Sequence, residues 1–213
     1  DTSADAYMVE QYIDGEWVQI AGICDETTYT VTGLAPFTKY SFRMRSYRNT
    51  GSLTFFSDYT ITRKPVTDPA AVTGFGINAS GSDYITLIWN KNTGVTGYSI
   101  EQYKDGAWTE IATITSDKTT SYKVTGLAAS TKYSFRMRAY GITEMGNKVC
   151  GDYTATLITI TLMPATSGFT SPSKSTTAVR LSWTKNSNAS GYIVEQFNGS
   201  SWEQIATITD KAT

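Results

Sequence analysis

Histidine is absent from the 213 residues. That removes the commonest general base and the commonest metal ligand. Cysteine is nearly absent. Cys24 and Cys150 cannot by themselves make a tetrathiolate zinc site, although an even count permits one disulfide. Charge is sparse, at 17% of residues, and balanced at 18 basic against 19 acidic. There is no basic field to attract nucleic acid and no basic amphipathic segment to lie on a membrane. No apolar run approaches the ~18 residues of a membrane span. The greasiest stretch, Leu157 to Leu162, carries Thr159 and Thr161 in the alternation of a strand. Only 5 prolines punctuate the chain. The first residues, Asp1-Thr2-Ser3-Ala4-Asp5, do not form a signal peptide, so a removed signal or an interior fragment is expected.

What is abundant points to strands. Tyrosine occurs 14 times, and Thr, Val and Ile are frequent, while Gly, Asn and Asp supply turns. An apolar fraction of 40% is enough for packed cores, and the length allows one to two ordinary domains. The chain is also repetitive. Tyr7-Met8-Val9-Glu10-Gln11-Tyr12 matches Tyr98-Ser99-Ile100-Glu101-Gln102-Tyr103 and Tyr192-Ile193-Val194-Glu195-Gln196-Phe197. Each copy is followed by a glycine-containing turn and a tryptophan: Trp17, Trp108 and Trp202. Thr32-Gly33-Leu34 with Lys39 to Arg45 matches Thr125-Gly126-Leu127 with Lys132 to Arg138, and Asp58-Tyr59-Thr60 matches Asp152-Tyr153-Thr154. A repeat of this size is one small β domain, larger than a solenoid unit.

The middle copy reads as seven strands. These are A (Val72 to Asn78), B (Tyr84 to Asn90), C (Tyr98 to Lys104), C′ (Trp108 to Thr115), E (Ser121 to Thr125), F (Thr131 to Tyr140) and G (Val149 to Ile160). Alternation turns Ile85, Leu87, Trp89, Tyr98, Ile100, Tyr133, Phe135, Met137 and Ala139 inward. It turns Arg136 and Arg138 outward. Asp105-Gly106 marks a tight C–C′ hairpin. The expected class is an all-β sandwich.

Three features carry a family resemblance: Trp89 and Trp183 on strand B, the Gly-Tyr start of strand C, and a tyrosine six residues after Leu34 and Leu127 (Tyr40 and Tyr133). Over about 90 residues the unit resembles a fibronectin type III domain, an immunoglobulin-like sandwich. The resemblance implies that Tyr40 and Tyr133 bond through their hydroxyls to the preceding loop backbone. The copies are also similar to repeats in secreted or surface proteins of Gram-positive anaerobic bacteria. On this reading residues 1–64 hold strands C to G without A and B, residues 65–163 a complete domain, and residues 164–213 strands A to C′ without E to G. The incomplete end domains would leave apolar faces and unpaired edges that need covering. A fragment of a longer array explains this, and so does strand complementation between chains, which would give self-association and filaments. Lys64 to Pro69 reads as a short, stiff linker.

No catalytic residue, cofactor-binding residue or metal ligand is expected. Serines have no histidine to activate them, and no Gly-x-Ser-x-Gly elbow is present. Glu101 with Arg136 or Arg138, and Glu10 with Arg43 or Arg45, read as exposed cross-strand ion pairs of about 0.2–1 kcal/mol each. Tyr12 with Trp17, Tyr103 with Trp108 and Phe197 with Trp202 flank the C–C′ turns. They are either hairpin-stiffening pairs or candidate stacking platforms for a carbohydrate or protein partner. Arg-Gly-Asp is absent. Cys24 and Cys150 are placed in different domains, whereas a disulfide needs Cα atoms within about 7 Å, so free thiols are expected. The expected function is a structural spacer of an extracellular or cell-surface protein, with adhesion as the alternative.

Overall fold

The computed structural model describes residues 4–209. The first copy contains β1 (Ala6–Ile13), β2 (Glu16–Ile23), β3 (Phe42–Asn49) and β4 (Thr54–Phe56), in one antiparallel sheet of order β2-β1-β3-β4. The middle copy contains β5 (Gly76–Ser80), β6 (Tyr84–Ile88), β7 (Gly97–Lys104), β8 (Ala107–Ile114), β9 (Ser121–Thr125), β10 (Lys132–Ile142), β11 (Lys148–Cys150) and β12 (Leu157–Ile160). Its two layers are β5-β6-β9 and β11-β10-β7-β8, with β12 also pairing β10. The third copy contains β13 (Thr170–Lys174), β14 (Val179–Ser182), β15 (Tyr192–Phe197) and β16 (Trp202–Ile208), as two separate two-stranded ladders.

The middle copy closes a core. Ile85 and Leu87 of β6 and Trp89 beyond it meet Tyr98 and Ile100 of β7 and Phe135, Met137 and Ala139 of β10. All are buried, as the period-two pattern requires. Tyr133 accepts a 2.8 Å hydrogen bond at its hydroxyl from the Ala128 amide, and Tyr40 does the same with Ala35. Both corner tyrosines therefore act as the resemblance implied. Asp14-Gly15 and Asp105-Gly106 have positive φ throughout and close two-residue hairpins.

Several elements differ from the sequence reading. Strand A is ordered as a ladder only from Gly76, because Gly74 (φ +66°) turns the chain and only Thr73 is held, by the Asn90 amide. Val72 nevertheless remains buried. Strand G is two pieces, β11 and β12. Between them the Thr154 hydroxyl accepts from the Met137 amide, and a side chain takes the place of a ladder bond. In the first copy residues 28–32, the counterpart of β9, form no strand. β9 is held in its sheet by β6, and no counterpart of β6 precedes it among the described residues of that copy.

Lys64 to Asp68 is not a free linker. Val66 bridges Lys39, the Thr67 amide donates to the Thr38 carbonyl, and the Phe37 amide donates to the Asp68 carbonyl. This is the continuation of strand G, reduced to isolated bridges because Pro65 has no N–H to give. Pro69, the next residue, is buried against Gly151 of the middle copy.

Candidate functional site

The outer face of the β8-β7-β10 layer gathers most of the polar and aromatic candidates. Side chains at Ser99, Glu101 and Tyr103 alternate away from the core, as do Arg136 and Arg138. Register places Glu101 opposite Arg136. A β-bulge lies between Ile100 and Glu101, so that Ile100 opposes Ala112 while Glu101 opposes Glu110. The same shift occurs at Val9/Glu10 and at Val194/Glu195. A bulge re-aims the side chains beside it, and here it sits at the glutamate of every copy.

Glu101 is held from two sides. Arg136 reaches it at 2.6 Å, and the Tyr153 hydroxyl donates to its other oxygen. Glu10 has the same partners one repeat earlier: Arg43 at 2.7 Å and Tyr59 at 2.9 Å. These pairs differ from the expected exposed ones, since Glu10 is buried and the Glu101 side chain nearly so. Burial alone would raise the Glu10 pKa. The bonds from Arg43 and Tyr59 outweigh it and hold the carboxyl below its ordinary value. Burial pushes the Tyr153 hydroxyl up, reinforced by its bond to Glu101.

The arginines are also stacked. Arg136 lies 4.4 Å from the Trp108 ring centre and 3.8 Å from that of Tyr153, with Arg138 4.4 Å from the same tyrosine ring centre. In the first copy Arg43 lies between Trp17 and Tyr59, and Arg45 between Tyr59 and Phe56. These ladders combine cation–π attraction with charge-assisted hydrogen bonds.

The hairpin aromatics therefore have mixed surroundings. Tyr12–Trp17 and Tyr103–Trp108 are tilted pairs with ring centres 5.3 Å apart. Both tryptophans are half-buried and carry an arginine on one face, while Tyr103 stays 48% exposed. Phe197–Trp202 pairs the same way at 5.5 Å, but Trp202 is 67% exposed because no arginine-bearing strand F lies beside it among the described residues.

A second cluster surrounds Glu110. The Ser99 and Thr113 hydroxyls donate to its carboxylate and lower its pKa, with burial opposing them. Cys24 and Cys150 are free thiols. Among the described residues, no three cysteine or acidic side chains converge as a metal site would require.

Residues 70–148 match the family model described as "Fibronectin type III domain". The all-β architecture, with its corner tyrosines, is the fibronectin type III fold. Among curated proteins, the chain is 33% identical over 122 residues to "Chitinase A1" of Niallia circulans, covering 53% of this chain and 16% of that protein. It is 28% identical over 126 residues to human "Neogenin", covering 56% of this chain and 9% of that protein. The chain thus spans less than a fifth of the length of either relative. Similar solved structures include the chicken CNTN1 FN1-FN3 domains, at 18% identity and TM-score 0.36, covering 74% of this chain and 54% of that one. Another is FN3tt, at 26% identity and TM-score 0.36, covering 44% and 95%.

Proposed function

We propose that this chain is a non-catalytic spacer segment of a secreted or cell-surface bacterial protein, of the kind found in Gram-positive anaerobes. The observation that carries this reading is the use of its polar chemistry. In both repeats that hold strands C and F, the glutamate, its arginine (Arg43 or Arg136), the tyrosine and the tryptophan on the outer sheet face are engaged with one another. Groups so engaged hold a sheet together and leave little to activate a substrate. The small share of the matched relatives that the chain spans is consistent with modules set in longer proteins. One of those relatives is named a chitinase, so chitin is the polymer to test. The protein is incubated with chitin and cellulose particles, sedimented and assayed for released sugar. It is expected to stay in the supernatant and release nothing. Retention on either polymer that is lost on replacing Trp17, Trp108 or Trp202 would overturn the spacer reading in favour of carbohydrate adhesion.

A specific observation favours a second property, assembly between chains. Val179, Leu181 and Trp183 stand where Ile85, Leu87 and Trp89 stand in the middle repeat, and Val179 is 60% exposed. Tyr7, Val9, Phe42 and Met44 stand where Tyr98, Ile100, Phe135 and Met137 stand, and they line an open apolar groove of about 510 Å³. The β13–β14 hairpin of one chain has the side chains to lie on the first-repeat sheet of another, as β5–β6 lies on β7–β10. Such head-to-tail pairing extends into filaments. Light scattering should show mass rising with concentration. A species of one-chain mass at every concentration would rule this assembly out.

A further inference from the structure

The junction of the first two repeats contains a contact that neither repeat needs for its own sandwich. Phe37, in the corner loop of the first repeat, has φ +43°, a backbone conformation costly for a bulky side chain. The matching position in the middle repeat, Ser130, has φ +50° and a small polar side chain. Phe37 uses its strained position to place its ring on Gly141, in β10 of the next repeat. A Cβ on Gly141 would stand 2.1 Å from the ring. Beside this contact Lys39 binds Glu144 of the F–G loop at 2.7 Å.

The backbone path adds a second constraint. Asp68 accepts from the Phe37 amide and so belongs to the first repeat, while Pro69 is already buried in the second. No free residue lies between them. The next junction differs, because Met163 there is half-exposed between Leu162, bonded to Ser130 and Gly81, and Pro164, bonded to Asn186.

We propose that the Phe37 corner and the Gly141–Glu144 segment form a dedicated inter-repeat clasp that fixes the angle between the first and second repeats. The ring of Phe37 is the wedge and Gly141 is its seat. Lys39–Glu144, exposed on both sides, orients the F–G loop and contributes little strength. Without such a contact, relative motion of neighbouring domains is the default. The clasp rests on the spacer reading and deepens it, since a fixed elbow sets the direction in which a spacer projects its neighbouring domains.

The test is a distance distribution between spin labels in the full chain, diluted with unlabelled protein. One label sits on the native Cys24 and one is introduced by Lys118→Cys in a Cys150→Ser background. The unmodified junction should give one narrow distance. Phe37→Ser, which copies the residue at position 130, should broaden it by about twofold or more. Gly141→Ala should do the same, and adding it to Phe37→Ser should change nothing further. Thermal unfolding of the middle repeat read alongside separates a lost clasp from a lost fold. A broad distribution in the unmodified chain, or an unchanged narrow one in Phe37→Ser, would overturn the clasp. Either result leaves the spacer reading to its own sedimentation test.

Discussion

Arg136 on β10 meets Glu101 on β7 at 2.6 Å while its guanidinium carbon lies 3.8 Å from the ring centre of Tyr153. Arg43 and Glu10 repeat the relationship in the first copy. One arginine thus neutralises a nearly buried carboxylate and fills the space between two aromatic rings.

Removing the carboxylate should therefore cost more than an exposed ion pair would. Glu101→Ala leaves Arg136 and the Tyr153 hydroxyl without their shared acceptor and should destabilise the middle repeat by about 2–3 kcal/mol. Tyr153→Phe removes one bond and should cost about 1 kcal/mol. Urea unfolding followed by tryptophan fluorescence measures both, and a loss below half of either figure would place the pair on the exposed surface.

The tryptophans should respond differently to the loss of their neighbours. Arg136→Ala should uncover Trp108 and shift its emission to the red. Among the described residues no corresponding arginine lies beside Trp202, whose emission should already be red and stay so. Trp108→Ala should cost about 1–2 kcal/mol through the lost Tyr103 and Arg136 contacts.

Much of this arrangement was legible in the sequence. The alternation of β6, β7 and β10 identified the core, and the family resemblance, carried in part by the Leu-to-Tyr spacing, implied both corners. Strand order narrowed the partner of Glu101 to Arg136 or Arg138 and that of Glu10 to Arg43 or Arg45, and the register selects Arg136 and Arg43. Three things were not legible. The bulge at Ile100/Glu101 is a property of pairing, and neither strand alone announces it. Pro65 reads as a linker signal, yet its carbonyl still accepts from Tyr40, so the strand continues past it with one bond missing. The seat of Phe37 on Gly141 joins residues about a hundred positions apart, and nothing local to either residue records it.

Stability should fall on the acid side and be flat near neutrality. Glu10 and Glu110 both have lowered pKa values in the folded chain. The unfolded chain then binds more protons as pH drops through the ordinary glutamate value of about 4.3. The stabilisation is present above that value and is lost as pH falls toward the depressed folded values. With no histidine in the sequence, no side chain of ordinary pKa titrates between pH 6 and 8. Melting temperatures from pH 3 to 8 should show a plateau and an acid decline. A step near pH 6.5 would contradict this assignment.

Both thiols should react under native conditions, the exposed Cys24 faster than the half-buried Cys150. Thiol titration of the air-purified protein should find two per chain, and a non-reducing gel should show one-chain mass. A dimer band lost on Cys24→Ser would show instead that the thiol joins chains.

On the proposed function, the outer-face aromatics serve the scaffold. The most direct measurement is the indole N–H resonances of Trp17, Trp108 and Trp202 during titration with soluble gluco-oligosaccharides. Scaffold tryptophans predict resonances that stay in place to the highest concentration reached. Saturable movement of the Trp17 or Trp108 indole would contradict the claim and make the hairpins a binding site.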